Sequence, residues 1–236
     1  MSAFIKGEWQ DGEVRGVNFL AGFRGMGKTT EMGRLMNGCS GTVVFYDHKG
    51  THPSLLRGAV TLTQPGDLKD AFLARRGHRM RVRYVPPRAA PDFSNKKKRG
   101  WEPEHVTHFR AVCAICDVFG RAILCADEMD NYCGPQWGSF RMPPELYTIV
   151  HEGRHSPLSM IFTARDPTTI SPNVRSQCET LRIFRTVEES YVEYFQARIG
   201  KEMAARLYTL PEYQYVLSSA SIPYPAIYNS GKFISR

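Results

Sequence analysis

Residues 22–29 read Gly22-Phe23-Arg24-Gly25-Met26-Gly27-Lys28-Thr29, and this octapeptide fits the pattern G-x-x-x-x-G-K-[ST]. Average residue usage produces the pattern by chance in roughly one chain in 100 of this length. Its flanks narrow the reading further. VNFLAG (17–22) is a short apolar run entering the glycines, and KTTEMGRLMNG (28–38) sets Met32, Leu35 and Met36 at helical spacing before Gly38 stops it. A strand, a glycine loop and a helix in that order bring loop amides and a helix N-terminus onto one bound phosphate. Gly22, Gly25 and Gly27 let the backbone curl round the anion, and Phe23, Arg24, Met26 and Thr30 complete the loop. Lys28 is expected to reach the β- and γ-phosphates and Thr29 to turn its hydroxyl to a Mg2+ ion, so ATP and Mg2+ are the implied cofactors. The bland alternative is a glycine-rich turn that merely carries Lys-Thr.

Such a site needs a second, acid-bearing strand. RAILCADE (121–128) supplies one, with Asp127 and Glu128 at its carboxyl end. Asp127 is expected in the Mg2+ shell, and Glu128, one residue on, is expected to orient and polarise an attacking water. Adjacent acids at a strand end also occur as helix caps, but about a hundred residues after a phosphate loop they are its expected partner. They argue against a small-molecule kinase, which would exclude water. The remaining elements alternate. Strands are expected at 41–47, 59–64, 80–87, 158–165 and 180–186, and helices at 68–76, 105–120, 144–155 and, as one helix or two, 187–210. Apolar runs separated by helices predict an α/β protein with a mainly parallel sheet covered on both faces.

The 236 residues are 42% hydrophobic and 23% charged, compatible with one globular domain over 1–236 and not with wholesale disorder. No apolar run approaches the ~18–20 residues of a membrane span, and MSAFIKGEWQDGEVRG has no signal-peptide core. Neither secretion nor an anchor is expected. The six cysteines (39, 113, 116, 125, 133, 178) then read as reduced, mostly buried thiols; Cys113 and Cys116 form a lone C-x-x-C within a helix-like stretch, a weak metal or redox signal. Charge is more informative. The chain carries a net +8, yet Arg75 to Arg99 holds ten basic residues against the single acid Asp92, a net +9 that leaves −1 for everything else. Within it SNKKKRG, with Lys96, Lys97, Lys98 and Arg99, reads as an exposed basic loop inserted around 88–101. It is either a solvated face or a surface that tracks nucleic-acid phosphates.

GFRGMGKTT, VVFYDHKG, AILCADE and the block HEGRHSPLSMIFTARDPTTISPNVRSQCETLRIFR together resemble the FtsK/HerA superfamily of additional-strand, RecA-like P-loop ATPases. Within it the chain is similar to the small genome-packaging ATPases of membrane-containing double-stranded DNA viruses, from about Val17 to Arg185. The resemblance implies a three-layer P-loop NTPase with the 158–165 strand between the phosphate-loop strand and the acid-bearing strand. It also implies a homo-oligomeric ring, a pentamer or hexamer, with ATP at each interface. Relatives often read Thr-Gln-Arg-Pro where this chain has Thr163-Ala164-Arg165-Asp166-Pro167, so Thr163 stands in for the usual glutamine. An interfacial site usually takes an arginine from the neighbouring subunit, worth ~10³–10⁵ in rate. Arg154 is the first candidate, ahead of Arg165 and Arg175; each has a bland alternative as a surface salt-bridge partner.

The leading expectation is an ATP-driven translocase that moves double-stranded DNA into a capsid. Its expected dock is a capsid vertex or a membrane protein of the virion, and its expected location the host cytoplasm or the virion. Two other classes remain open on the sequence: an assembly or secretion ATPase that moves protein, as in filamentous phage, and a monomeric nucleotide-binding regulator or kinase.

Overall fold

A computed structural model describes residues 14, 16–75, 78–87, 104–134, 142–152 and 158–235. Its elements run β1 (Val17–Ala21), α1 (Lys28–Gly38), β2 (Thr42–Tyr46), β3 (Val60–Leu62), α2 (Pro65–Ala74), β4 (Arg81–Tyr84), α3 (Glu104–Phe119) and β5 (Ala122–Ala126). A 3-10 turn (Met129–Asn131) follows, then α4 (Pro144–Glu152), β6 (Leu158–Ala164), α5 (Pro172–Ser176), β7 (Cys178–Phe184), α6 (Glu189–Ile199), α7 (Lys201–Arg206), β8 (Gln214–Ser219), β9 (Ala226–Asn229) and β10 (Lys232–Ser235).

The strands form one sheet in the order β10-β9-β8-β7-β1-β6-β5-β2-β4-β3. All pairs from β7 to β3 are parallel, whereas β8, β9 and β10 add on antiparallel. β6 lies between β1 and β5, the order that the resemblance implies. β1, β2, β5 and β6 are buried at every position, because helices cover both faces. Successive residues alternate between two cores. Phe19, Val44 and Leu124 join the larger one, with Phe109 and Val112 of α3 and Phe195 of α6, while Leu20, Val43 and Ile123 meet Met32, Leu35 and Met36 of α1. All six cysteines are buried free thiols. Burial pushes the Cys116 thiol up to about 12, so it acts as a small apolar side chain.

The antiparallel end of the sheet was outside the sequence-based expectation, which stopped at Leu210. Its β9–β10 connection is a two-residue turn with Ser230 and Gly231 both at positive φ (47° and 80°), the geometry that suits hairpin strands. The basic stretch also divides. Arg75 bonds the Thr42 hydroxyl at 2.8 Å and lies over Phe72, and Arg81 reaches the Cys39 carbonyl at 3.0 Å beyond the end of α1. Arg83, buried, grips Asp47 through Nε at 3.0 Å and a terminal nitrogen at 2.7 Å. These three arginines serve the fold. Lys96, Lys97, Lys98 and Arg99 lie outside the described residues.

One buried ionic cluster ties α1 to the sheet. Glu31 and Arg182, whose side chains are 3% and 1% exposed, approach to 3.4 Å. Glu31 also accepts from Arg34 at 2.7 and 2.8 Å and from the Tyr215 hydroxyl at 2.8 Å, while Arg182 donates to Asn18 at 3.0 Å. A buried charge whose partner is removed is strongly unfavourable. Glu31→Ala, which removes the carboxylate beside Arg182, is therefore expected to lower the unfolding free energy by ~3–5 kcal/mol, and Tyr215→Phe by only ~1.5–3 kcal/mol, both read from urea denaturation. A loss below ~1 kcal/mol in the Glu31 variant would contradict the role given to the cluster.

Candidate functional site

The carboxyl ends of β1, β5 and β6 open on one mouth, since Ala21 is level with Ala164 and Ala126 with Phe162. The phosphate loop leaves β1 there. Gly22 has φ 142°, and a Cβ on it would lie 2.8 Å from that of Phe184; Gly27, with φ 100°, caps α1. Both conformations favour glycine. The Phe23 amide donates to the Arg185 carbonyl at 2.8 Å, pinning the loop's first turn to the end of β7. Phe23, Arg24, Gly25 and Thr30 are exposed, and Met26 and Gly27 are half-buried. Lys28 is buried, and its ammonium donates to the Gly22 and Phe23 carbonyls at 2.7 and 2.9 Å. Burial lowers its pKa to about 8, against the opposing pull of Asp127.

Asp127 and Glu128 follow β5 immediately, and Thr163 of β6 joins them. The Thr163 hydroxyl donates to Asp127 Oδ1 and accepts the Glu128 amide at 3.0 Å. Thr29 Oγ1 lies 3.5 Å from Asp127 Oδ2. The structure thus brings Lys28, Thr29, Asp127, Glu128 and Thr163 together. Thr29 and Asp127 offer a hydroxyl and a carboxylate, hard oxygen donors that fit Mg2+. Burial raises the Asp127 carboxyl, but hydrogen bonds from His52 and Thr163 outweigh it and keep the group below the usual range and ionised.

Glu128 sits in the left-handed region (φ 53°, ψ 59°), a conformation that costs a non-glycine residue ~1–3 kcal/mol and concentrates at functional sites. Its carboxylate accepts from Lys49 on one oxygen and from Arg165 on the other. Burial pushes its pKa up, yet these two cations hold it below the ordinary value. A carboxylate so held is a weak base and serves better as an orienting acceptor.

Of the arginines considered for the neighbouring site, Arg165 is engaged with Glu128 of its own chain. Arg175 lies over the Tyr194 ring at 4.6 Å. Arg154 lies outside the described residues.

Lys49 and His52 were not among the expected site residues. Asp47, one residue past β2, accepts the Thr51 and His52 amides at 3.3 and 3.0 Å and is clamped by Arg83. That bent loop places His52 Nε2 3.4 Å from Asp127 and carries Lys49 to Glu128. The available signal was VVFYD, a second apolar strand ending in an acid. Behind it His48 packs with His105 and edge-on to Tyr132, at 5.6 and 5.8 Å between ring centres.

No protein-family model matches the sequence, and no curated protein matches it. Solved structures do match. The genome packaging NTPase B204 of Sulfolobus turreted icosahedral virus 2 in complex with ATP-gammaS aligns with a TM-score of 0.66 at 17% identity, covering 91% of this chain and 97% of that one. The same protein in complex with AMPPCP gives 0.65 at the same identity and coverage. B204 of Sulfolobus turreted icosahedral virus, described as a DNA-packaging ATPase, gives 0.63 at 15% identity, covering 91% of this chain and 97% of that one. At such identities the likeness is one of fold, and it establishes here the α/β fold of P-loop ATPase structures.

Burial lowers the His48 pKa to about 4, with His105 and Lys49 adding to the effect. The folded state then binds fewer protons than the unfolded state between pH ~6.5 and 4, so stability present above pH ~6.5 is lost on acidification. His48→Gln is expected to flatten that fall by up to ~1.4 kcal/mol per pH unit, measured as unfolding free energy against pH. Parallel curves for variant and wild type would contradict a buried neutral His48.

Proposed function

We propose that the chain hydrolyses ATP at the interfaces of a homo-oligomeric ring and uses turnover to drive double-stranded DNA into a preformed capsid. The observation that carries the hydrolytic part is the convergence of Lys28, Thr29, Asp127, Thr163 and Glu128 at one mouth of the sheet. Lys28 neutralises the β- and γ-phosphate oxygens while the loop amides hold them. Thr29 and Asp127 would hold Mg2+, which would supply charge neutralisation to the polyphosphate. Glu128 gives up Lys49 or Arg165 to accept a hydrogen bond from the attacking water and aim it at the γ-phosphate. Thr163, bonded to both acids, keeps them in register.

The translocating part is supported by the fold shared with viral packaging NTPases and by the basic segment. Arg154 is the first choice to complete a neighbour's site. Lys96, Lys97, Lys98 and Arg99 hold the DNA backbone without reading its sequence. A pentamer or hexamer at a capsid vertex, or on a membrane protein of the virion, fits this role, and among the described residues no helix is long and apolar enough to cross a membrane.

The deciding experiment measures ATPase rate with and without duplex DNA, together with the mass of the assembled species. Duplex DNA is expected to accelerate turnover of a ring. Glu128→Gln is expected to retain ATP binding and lose most of its turnover, because a neutral amide does not polarise the water as a carboxylate does, whereas Lys28→Ala is expected to weaken binding itself. Wild-type turnover in the Glu128 variant would sink the catalytic assignment, and a DNA-indifferent monomer would favour a nucleotide-binding regulator.

The basic segment has its own test. Neutralising Lys96, Lys97, Lys98 and Arg99 together is expected to flatten the slope of log affinity for DNA against log salt by up to ~3–4 per engaged subunit. The DNA-independent ATPase rate should be kept. An unchanged slope would make the run a solvated face.

A further inference from the structure

Tyr213 stands at the head of β8, with its backbone in the left-handed region at φ 64°. Its amide donates to the Met26 carbonyl in the phosphate loop at 3.1 Å. Its ring lies against the loop so closely that a Cβ added to Gly27 would come within 2.7 Å of Tyr213 Cδ1. Even so, 46% of the residue is exposed. The hydrogen bond to Met26 needs only a backbone amide, and a prop for the loop would bury its ring. What the tyrosine adds is a flat, half-open aromatic face beside the last turn of the phosphate loop, held in a conformation that a side-chain-bearing residue adopts only under constraint.

The sheet order gives that face a direction. Asp127, Glu128 and Thr163 stand at the ends of β5 and β6, on one side of β1, whereas Tyr213 enters β8, on the other side beyond β7. A polyphosphate with its terminal group toward the acids leaves the loop past Gly27 on the Tyr213 side. We propose that Tyr213 is the stacking platform for the base of a nucleoside triphosphate. The platform serves bases without choosing between them, since stacking needs only a π-face. This rests on the nucleotide reading of the site and deepens it.

The experiment compares equilibrium binding of ATP, GTP and inorganic tripolyphosphate, each with Mg2+, to wild type and to Tyr213→Phe, Tyr213→Leu and Tyr213→Ala proteins. Leucine fills the space beside Gly27 but offers no π-face, so it separates stacking from propping and keeps the test open should the alanine variant not fold. The expected result is that Leu and Ala weaken ATP and GTP alike by about tenfold or more, that Phe stays within about twofold of wild type, and that tripolyphosphate binds all proteins equally. Loss of tripolyphosphate binding in step with ATP would make Tyr213 a structural prop and overturn the proposal, as would unchanged ATP binding in the leucine variant. Should wild type bind tripolyphosphate but gain nothing from the nucleoside, the platform fails while the phosphate site stands. Should it bind neither, the nucleotide reading itself fails.

Discussion

The Thr163 hydroxyl donates a hydrogen bond to Asp127 and accepts one from the Glu128 amide, and the arrangement of the mouth depends on that one oxygen. It can act there only because β6 is inserted between the strand that feeds the phosphate loop and the strand that ends in the acids. Two strand spacings, ~9–10 Å, separate β1 from β5, enough for a polyphosphate to lie across the ends of three strands. The inserted strand places the phosphate loop and the acids on its two sides, with Thr29 Oγ1 3.5 Å from Asp127 Oδ2.

Charges gathered at the edge of a dry sheet must each be matched, and the molecule does so in layers. Lys28 spends its protons on loop carbonyls, Asp127 leans on His52 and Thr163, and Glu128 is held by Lys49 and Arg165. Behind them Asp47 and Arg83 form a dry pair that shapes the loop bearing Lys49 and His52. Beneath α1, Glu31 and Arg182 do the same for the helix that carries Thr29 and Thr30. The layers differ in kind: the outer one includes the half-exposed Lys49 and Arg165, while the inner pairs are buried and costly to open.

This layering explains which parts were legible in the sequence. The glycine loop, the helix after it and the acid-bearing strand are local patterns, and each formed where spacing put it; α1 begins and ends at Lys28 and Gly38. The inner pairs leave no local trace. Tyr215 meets Glu31 from 184 residues away, and Arg83 finds Asp47 across 36. MRVRYV alternates as a half-solvated strand would, yet Arg83 is buried because its partner waits at the end of β2. The terminal antiparallel strands were missed for another reason: β9 and β10 are four residues each, too short for a period to emerge, and the Ser230–Gly231 turn was the readable mark.

The sheet order also sets a timetable. Val17 pairs with Met160 on one side and Cys178 on the other, so the strand made first acquires both neighbours only after some 160 further residues have left the ribosome. Domains generally fold as units during synthesis, and here closure of the unit is what shapes the phosphate loop. Until β6 and β7 arrive, Lys28 has no buried cradle and Asp127 no Thr163. A nascent chain therefore assembles this mouth only once β6 and β7 have been made.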